Sequence, residues 1–235
     1  MKDITLVLHG DLQELLPKSL QSQQSIRIPL SGRVALKHLI ENLGIPHTEI
    51  GRVERGTVQI SMMTHPKSGE VYHLYPEIDP PAICPLFIAD NHLARLAEWL
   101  RLLGFDTAYS QGWEDEQIAK IAFDEGRVLL SRDRGLLKRN IVAQGYCVRS
   151  DFLHLQVKEV VRRYHLVPYF QPFSRCQRCN GTLAPVQKEN IIEQLESLTR
   201  QYYDEFHRCS ICLNIYWKGS HYQKILLFIR SLERQ

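Results

Sequence analysis

Two pairs of closely spaced cysteines constrain the fold of this chain more than any other feature of its sequence. The segments CQRC (176–179) and CSIC (209–212) are separated by 29 residues, 180–208. Two such pairs supply the four thiolates of a closed, tetrahedral Zn²⁺ site, whereas a redox dithiol would leave the second pair unexplained. We therefore predict a structural zinc ion. Its ligands are Cys176, Cys179, Cys209 and Cys212.

Composition places the chain among ordinary globular proteins. It has 235 residues, 44% hydrophobic and 23% charged, which gives room for one large domain or two to three small ones. Six cysteines are too few for a disulfide scaffold in a chain of this length. No run approaches the roughly eighteen apolar residues of a membrane span, and the first residues lack the apolar core of a signal peptide. We predict a cytoplasmic protein without membrane contact.

The first 81 residues are predicted to form a small β-grasp module. Two strand-like runs come first, and a helical stripe of apolar residues follows over 34–43. Two more strand-like runs then flank the turn HPKSGE (65–70). The order strand, strand, helix, strand, strand is typical of this fold.

Strands and helices alternate in the central segment, residues 85–165. Runs such as LFIA (86–89) and VLLS (128–131) predict short buried strands, and amphipathic stretches predict helices between them. Parallel neighbours need such crossover connections, so the segment predicts a parallel sheet with helices on both faces. Functional clefts in sheets of this kind lie beyond the carboxyl ends of the strands.

Aspartates stand where these strands end. Asp90, Asp133 and Asp151 close three strand candidates, and Asp115 opens the second helix. Carboxylates gathered on one rim repel one another unless a cation lies among them, and their oxygens suit Mg²⁺ or Mn²⁺. The simpler alternative is that the aspartates cap the helices that follow, for which Asp90 and Asp115 are well placed. The residues alone leave both interpretations open.

The positive charge of the chain is concentrated in its last third. Residues 152–235 carry 12 Lys and Arg against 7 Asp and Glu, while residues 1–81 carry 8 against 9 and residues 82–151 carry 9 against 10. Aromatic residues lie between these cations, a combination that suits single-stranded RNA, whose bases stack on rings. The alternative is that the rings form the core of a small ribbon. The predicted RNA contacts here are Arg175, Arg178 and Lys218.

Four stretches of the chain resemble, in order, the Mut-seven C-terminal RNase family, a branch of the PIN-like nucleases. They are FIADNHLARLAEWLRLLGFDT, DEQIAKIAFDEGRVLLSRDRGLL, PFSRCQRCN and YWKGSHY. The resemblance implies a PIN-like α/β fold and divalent-metal RNase activity. Asp90, Asp115 and Asp133 match the acidic positions of that family, and Asp151 is a fourth catalytic candidate.

The stretch VALKHLIENLGIPHTEI (34–50) resembles the ubiquitin-like module found ahead of that RNase domain. Sulfur carriers of the β-grasp type act through an exposed C-terminal Gly-Gly, whereas this segment continues through Pro80 and Pro81. Docking of a protein partner, or positioning of the nuclease, therefore fits better than conjugation. The predicted domains are the ubiquitin-like module (1–81), the PIN-like RNase core (85–165) and a zinc ribbon with an inserted helix (166–235).

The predicted activity is cleavage of RNA by a divalent metal ion that the carboxylates hold. Such an ion activates water and offsets charge on the leaving oxygen. A non-catalytic RNA-binding or adaptor protein, using the zinc ribbon and the ubiquitin-like module, is the alternative. A metal-dependent phosphatase would need a second acid two residues after its nucleophile, which ADNHL (89–93) lacks. Guanidinium groups predicted to contact RNA phosphates are Arg95, Arg101, Arg132 and Arg134.

Overall fold

The computed structural model describes residues 3–77 and 83–234. The chain forms two compact units, one from residues 1–79 and 113–148, the other from residues 80–112 and 149–235. The central segment, predicted as one domain, therefore contributes to both units. The predicted stiff exit through Pro80 and Pro81 lies outside the described residues. In the described part of the chain, no helix is both long enough and apolar enough to cross a membrane.

Twelve strands and seven α-helices make up the regular structure of the described residues. In chain order the strands are β1 (Asp3–Leu8), β2 (Ser25–Pro29), β3 (Ile50–Arg55), β4 (Val58–Ile60), β5 (Val71–Pro76), β6 (Phe87–Ala89), β7 (Thr107–Ala108), β8 (Val128–Ser131), β9 (Gly145–Cys147), β10 (Leu183–Val186), β11 (Phe206–Cys209) and β12 (Ile215–Trp217). The α-helices are α1 (Leu36–Asn42), α2 (Ala94–Leu102), α3 (Asp115–Asp124), α4 (Arg134–Leu137), α5 (Leu153–Arg163), α6 (Ser197–Tyr202) and α7 (Tyr222–Glu233).

The N-terminal module is a mixed five-stranded sheet with one α-helix. Its strand order is β2-β1-β5-β3-β4, in which β1 and β5 are parallel and the other neighbours antiparallel. Alternate residues of β1 are buried, as the period of a half-covered strand requires, and α1 buries the apolar stripe that predicted it. The β-grasp order of elements is present, but it contains one strand more than the sequence predicted.

The additional strand is β3, and its irregular pairing explains why the sequence did not reveal it. The register with β5 shifts between Ile50 and Arg52, so the buried residues Ile50 and Val53 are three positions apart. An alternating pattern is therefore absent from this strand. Because β3 lies between β5 and β4, the two strands predicted to flank the turn HPKSGE do not pair with each other.

Each compact unit holds one pair of parallel strands from the central segment. In the first unit β8 pairs with β9, with Leu129 opposite Gly145. In the second, β6 pairs with β7, with Phe87 opposite Thr107. All residues of β6 and β8 are buried, which is typical of parallel strands covered on both faces. The predicted parallel pairing of the central strands is confirmed within each unit.

The C-terminal region contains a three-stranded antiparallel sheet in the order β10-β11-β12. The predicted inserted helix is mostly wrong, because its first half forms two 3₁₀ turns and only α6 is α-helical. Ile191 and Leu195 pack there against Phe206 of β11 in a small apolar cluster. Helices α5 and α7, which follow the central strands and the C-terminal sheet, were not predicted.

The end of α2 packs tightly against the chain that leads into the first cysteine pair. Gly104 has φ +103, and a Cβ built there would lie 2.5 Å from the carbonyl oxygen of Gln171. In the same place the amide of Gln171 donates to the carbonyl of Leu103 at 2.9 Å. Both the left-handed backbone and the close approach therefore require glycine at this position.

We predict that Gly104→Ala lowers the free energy of unfolding by more than about 2 kcal/mol, because left-handed strain and displacement of Gln171 add together. Gly112→Ala is the control, since a Cβ at Gly112 meets nothing within 4 Å. Its effect should stay within roughly 0.5 kcal/mol, the range typical of surface substitutions. Urea unfolding of both variants measures the difference, and equal midpoints would contradict the prediction.

Candidate functional site

Two of the four candidate catalytic aspartates form the same local turn after a buried strand. Asp90 follows β6 and its Oδ1 accepts a hydrogen bond from the backbone N–H of His92 at 2.9 Å. Asp133 follows β8 and its Oδ1 accepts from the N–H of Gly135 at 2.6 Å. Each carboxylate thus caps the turn or helix that begins beside it. Asp90 is 3% exposed, whereas Asp133 lies at the surface.

Of the other two candidates, Asp115 opens a helix as the sequence predicted, whereas Asp151 does not directly follow a strand. Asp115 is the first residue of α3 and is half-buried, and the cap position belongs to Glu114. The backbone N–H of Glu114 donates to Oε1 of Gln117 at 2.9 Å, so the alternative in which Asp115 itself caps this helix does not hold. Strand β9 ends at Cys147, which leaves Asp151 four residues beyond it on the exposed start of the α5 segment.

A further carboxylate that sequence reasoning missed lies close to Asp151 in the chain's second unit. Glu159 of α5 accepts hydrogen bonds from the backbone N–H groups of Arg149 and Ser150, at 2.8 and 3.1 Å. These contacts fix the loop that carries Asp151. The sequence pattern does not mark Glu159, because its contact with the loop depends on how α5 packs against residues 149–150.

The four cysteines of the two pairs converge into one cluster. Their Sγ atoms all lie within 4.8 Å of one another, with Cys176 and Cys212 3.6 Å apart and Cys179 and Cys209 3.4 Å apart. Tetrahedral zinc with Zn–S bonds of about 2.3 Å separates its sulfurs by about 3.8 Å, so these distances fit such an ion. The cluster could hold a metal such as zinc, as the spacing of the pairs indicated.

Both cysteine pairs have the same backbone shape. The residue after each pair, Asn180 or Leu213, has a left-handed backbone, with φ values of 69° and 61°. The amide of the first cysteine of each pair donates to the carbonyl five residues on, from Cys176 to Gly181 at 2.7 Å and from Cys209 to Asn214 at 3.0 Å. Two equivalent knuckles therefore present their sulfurs to one point.

The protonation of the cluster favours a bound cation. Burial raises the pKa of Cys179 to about 12, and the neighbouring thiols add to the shift. Burial also opposes ionisation of Cys209, but hydrogen bonds from the N–H groups of Ile211 and Cys212 and from the thiols of Cys179 and Cys212 together outweigh it and lower the pKa to about 6. Four thiolates together require a positive ion between them.

A buried arginine and an asparagine join the first knuckle to β7. The side chain of Arg101, which is 3% exposed, donates to the carbonyl oxygens of Thr107, Gln177 and Arg178 at 2.8, 2.9 and 3.1 Å. Burial lowers the pKa of Arg101. The Oδ1 atom of Asn180 accepts from the N–H of Thr107 at 3.1 Å. Arg101, predicted to contact RNA, is therefore engaged with backbone inside the protein.

The remaining arginines and the lysine predicted to contact RNA divide into two groups. Arg175 pairs with Asp106 at 3.2 Å, and Lys218 forms an exposed ion pair with Glu205. The guanidinium of Arg134 donates to carbonyl oxygens within its own compact unit. Side chains at the surface are Arg95, Arg132 and Arg178.

An aromatic groove of about 640 Å³ lies beside the cysteine cluster in the second unit. Its walls come from β12, α6 and α7, and include Tyr203, Tyr216 and Trp217. Trp217 is 42% exposed and its ring lies 6.4 Å from that of Tyr203. The Oη atom of Tyr216 is 3.0 Å from the Sγ atom of Cys176, so the groove and the cluster share a wall.

Comparison with known families identifies the class of this protein. A family model for the Mut7-C RNAse domain matches residues 85–229, and one for the Mut7-C ubiquitin module matches residues 1–81. The protein belongs to the Mut7-C RNase domain family, with the ubiquitin-like module of that family in front. The predicted resemblance is confirmed.

Individual relatives match parts of the chain. A human protein described as exonuclease mut-7 homolog is 35% identical over 106 residues, which are 43% of this chain and 12% of that protein. Two crystal structures, of the H. volcanii small archaeal modifier protein 1 and of SAMP1 from Haloferax volcanii, align at 15% and 14% identity with a TM-score of 0.27. They cover 33% and 34% of this chain, and 100% and 99% of their own.

We expect the wild-type protein to bind one zinc ion per chain and Cys209→Ser to lose it, because three thiolates leave the tetrahedral site incomplete. Metal binding contributes roughly 10–16 kcal/mol to folding in zinc-finger peptides, so the region around the knuckles should become sensitive to protease. The effect should extend to α2, since Arg101 donates to carbonyls of the first knuckle.

Elemental analysis and limited proteolysis check this expectation. Cys84→Ser is the matched control, because Cys84 is an exposed thiol outside the cluster. It should keep the metal and the wild-type cleavage pattern. Full zinc content in Cys209→Ser, or none in the wild type, would contradict the assignment.

Proposed function

We propose that this protein is a divalent-metal-dependent ribonuclease with a PIN-like active site. The observation that carries the proposal is the match of residues 85–229 to an RNase family. Within that range, Asp90 and Asp133 follow two buried strands and form the same turn. Aspartates at the carboxyl ends of such strands occupy the usual position of functional groups in α/β proteins.

The carboxylates of Asp90, Asp115 and Asp133 would hold Mg²⁺ or Mn²⁺, and Asp151 is the fourth acidic candidate. Hard oxygen ligands of this kind suit both ions. Such an ion would polarise a phosphate oxygen and lower the pKa of a bound water. Burial of Asp90 favours this use, because a nearly enclosed carboxylate gains more from a cation than an exposed one.

The ribbon region would hold single-stranded RNA for cleavage. Bases can stack on exposed rings of the aromatic groove, such as Trp217, without any preference for sequence. Arg178, Arg95 and Arg132 are exposed and suit phosphate contacts. Lys218 could exchange its ion pair with Glu205 for a phosphate, since both side chains lie at the surface. In this proposal the zinc ion is structural and shapes the groove wall through Tyr216.

A non-catalytic RNA-binding or adaptor protein is the second candidate. The observation that favours it is that Asp90 and Asp133 both cap local turns, which explains their positions without chemistry. The two candidates differ in the response to metal ions. If the carboxylates bind a cation, Mn²⁺ should raise the melting temperature of the wild type and not that of Asp90→Asn.

We predict that Asp90→Asn and Asp133→Asn each lower RNA cleavage by orders of magnitude while stability changes little. Asparagine caps as well as aspartate, so each substitution removes a charge and keeps the turn. The double variant should be scarcely worse than either single one, because groups that act through one ion are not additive. Cleavage of an RNA panel with Mn²⁺, and its loss with EDTA, measures the effect.

Asp124→Asn is the control for that experiment, because Asp124 is exposed and pairs across one helical turn with Lys120. It should cleave like the wild type. Wild-type rates in Asp90→Asn, or no cleavage by the wild type with Mn²⁺, would favour the adaptor.

We expect Trp217→Ala to weaken binding of single-stranded RNA by roughly tenfold, since stacking contributes about 1–3 kcal/mol per base. Trp217→Phe keeps a ring and should retain most of the affinity. Phe123→Ala, which removes another exposed ring on α3, should bind normally. Fluorescence anisotropy measures the three affinities, and equal values for all variants would exclude stacking on Trp217.

A further inference from the structure

A buried acidic residue of the ubiquitin-like module accepts a hydrogen bond from the outer side of β9. On its inner side β9 pairs with β8, where the N–H of Val148 donates to the carbonyl of Ser131 at 2.9 Å. Successive N–H groups along a strand point to opposite sides, so the N–H of Cys147 points outwards. There it donates to Oε1 of Glu49 at 2.5 Å, and Glu49 is only 1% exposed.

Glu49 belongs to a continuous segment of the module, residues 41–49, which we call the brace segment. The ring of His47, also in this segment, lies between Oε1 of Glu41 at 2.8 Å and the carbonyl oxygen of Val142 at 2.9 Å. Both partners accept hydrogen bonds, so both bonds form together when both ring nitrogens carry protons. The brace segment therefore contacts the chain before β9 as well as β9 itself.

Helix α4 is held to the module by both of its ends. Arg134, its first residue, donates through Nη1 to the carbonyls of Leu15 at 2.5 Å and Gly44 at 3.4 Å. Lys138, directly after its last residue, donates through Nζ to the carbonyl of Glu41 at 2.6 Å. Hydrogen bonds from charged donors are stronger than those between neutral groups. A helix of a single turn with few contacts of its own is thereby fixed in place.

The residue immediately before α4 is Asp133. Its Oδ1 accepts from the N–H of Gly135, so the orientation of the carboxylate follows that of the helix. We propose that the ubiquitin-like module positions the Asp133 carboxylate, with Arg134 as the positioning residue. The inference rests on the proposed function, in which Asp133 holds the metal ion. Through this positioning the module contributes to catalysis, because misplacement of a catalytic group by 1 Å can cost about 10²-fold in rate.

This inference gives Arg134 a different role from the phosphate contact that the sequence predicted. A phosphate contact acts on RNA affinity and its salt dependence, and its loss raises KM. A positioning contact acts on the chemical step, and its loss lowers kcat. It also loosens α4, which raises the rate of hydrogen exchange at the amide of Gly135.

Arg134→Ala in the full-length chain tests the inference. We expect kcat to fall about tenfold or more, KM to change less than about twofold, and exchange at Gly135 to accelerate at least tenfold. Arg134→Lys, which keeps one charged donor, should lie between this variant and the wild type. Arg55→Ala is the matched control, because Arg55 is an exposed arginine of the same module paired with Glu70. It should leave all three quantities unchanged.

Hydrogen exchange separates failure of this inference from failure of the proposed function. If the wild type cleaves no RNA, the proposed function fails. Faster exchange at Gly135 in Arg134→Ala still supports the inference that the ubiquitin-like module positions Asp133. Unchanged exchange at Gly135, or a raised KM with unchanged kcat, overturns the inference. If Arg134→Ala does not fold, Lys138→Met replaces it, since this change removes only the donor to Glu41 and should also accelerate exchange at Gly135.

Discussion

The fold depends on satisfying the backbone groups that point outwards from its short parallel strands. Buried N–H and C=O groups must find partners, and a two-residue strand such as β7 has few neighbours of its own. Thr107 of β7 receives both partners from side chains, with Asn180 accepting from its N–H and Arg101 donating to its C=O. In the other unit Glu49 performs the same task for Cys147 of β9. The region of the cysteine cluster and the ubiquitin-like module thus each complete a strand of the RNase segment.

This constraint explains why positive charge alone does not assign arginines to RNA. A cluster of cations in the sequence indicates an anionic partner, but a guanidinium group satisfies carbonyl oxygens equally well. Arg101 reaches carbonyls 76 and 77 residues away, and Arg134 reaches the carbonyl of Leu15, 119 residues away. Partners so distant in the chain leave no trace in local spacing. Arginines are therefore assigned to RNA most safely where the fold leaves them at the surface, as for Arg178.

Features with a local origin were predictable from the sequence, and features that arise from tertiary pairing were not. The cysteine cluster follows from two short motifs, and the buried strands β6 and β8 follow from apolar runs ending in aspartate. Strand β3 has an irregular register and so lacks a regular pattern. No local pattern marks Glu49 for its contact with Cys147, because that contact depends on the outer side of β9. The inserted helix was overpredicted because the apolar cluster around Phe206 favours two 3₁₀ turns over a continuous helix.

Capping and metal binding are compatible uses of the same carboxylate. A carboxylate has two oxygens with about four acceptor sites, and the cap occupies one of them. The hydrogen bond from His92 to Asp90, or from Gly135 to Asp133, fixes the side chain before any ligand arrives. Such preorganisation is what a catalytic ligand requires, since its geometry must be held by neighbouring groups. The cap therefore explains how these aspartates are oriented, and it leaves the remaining acceptor sites of each carboxylate for the proposed metal ion.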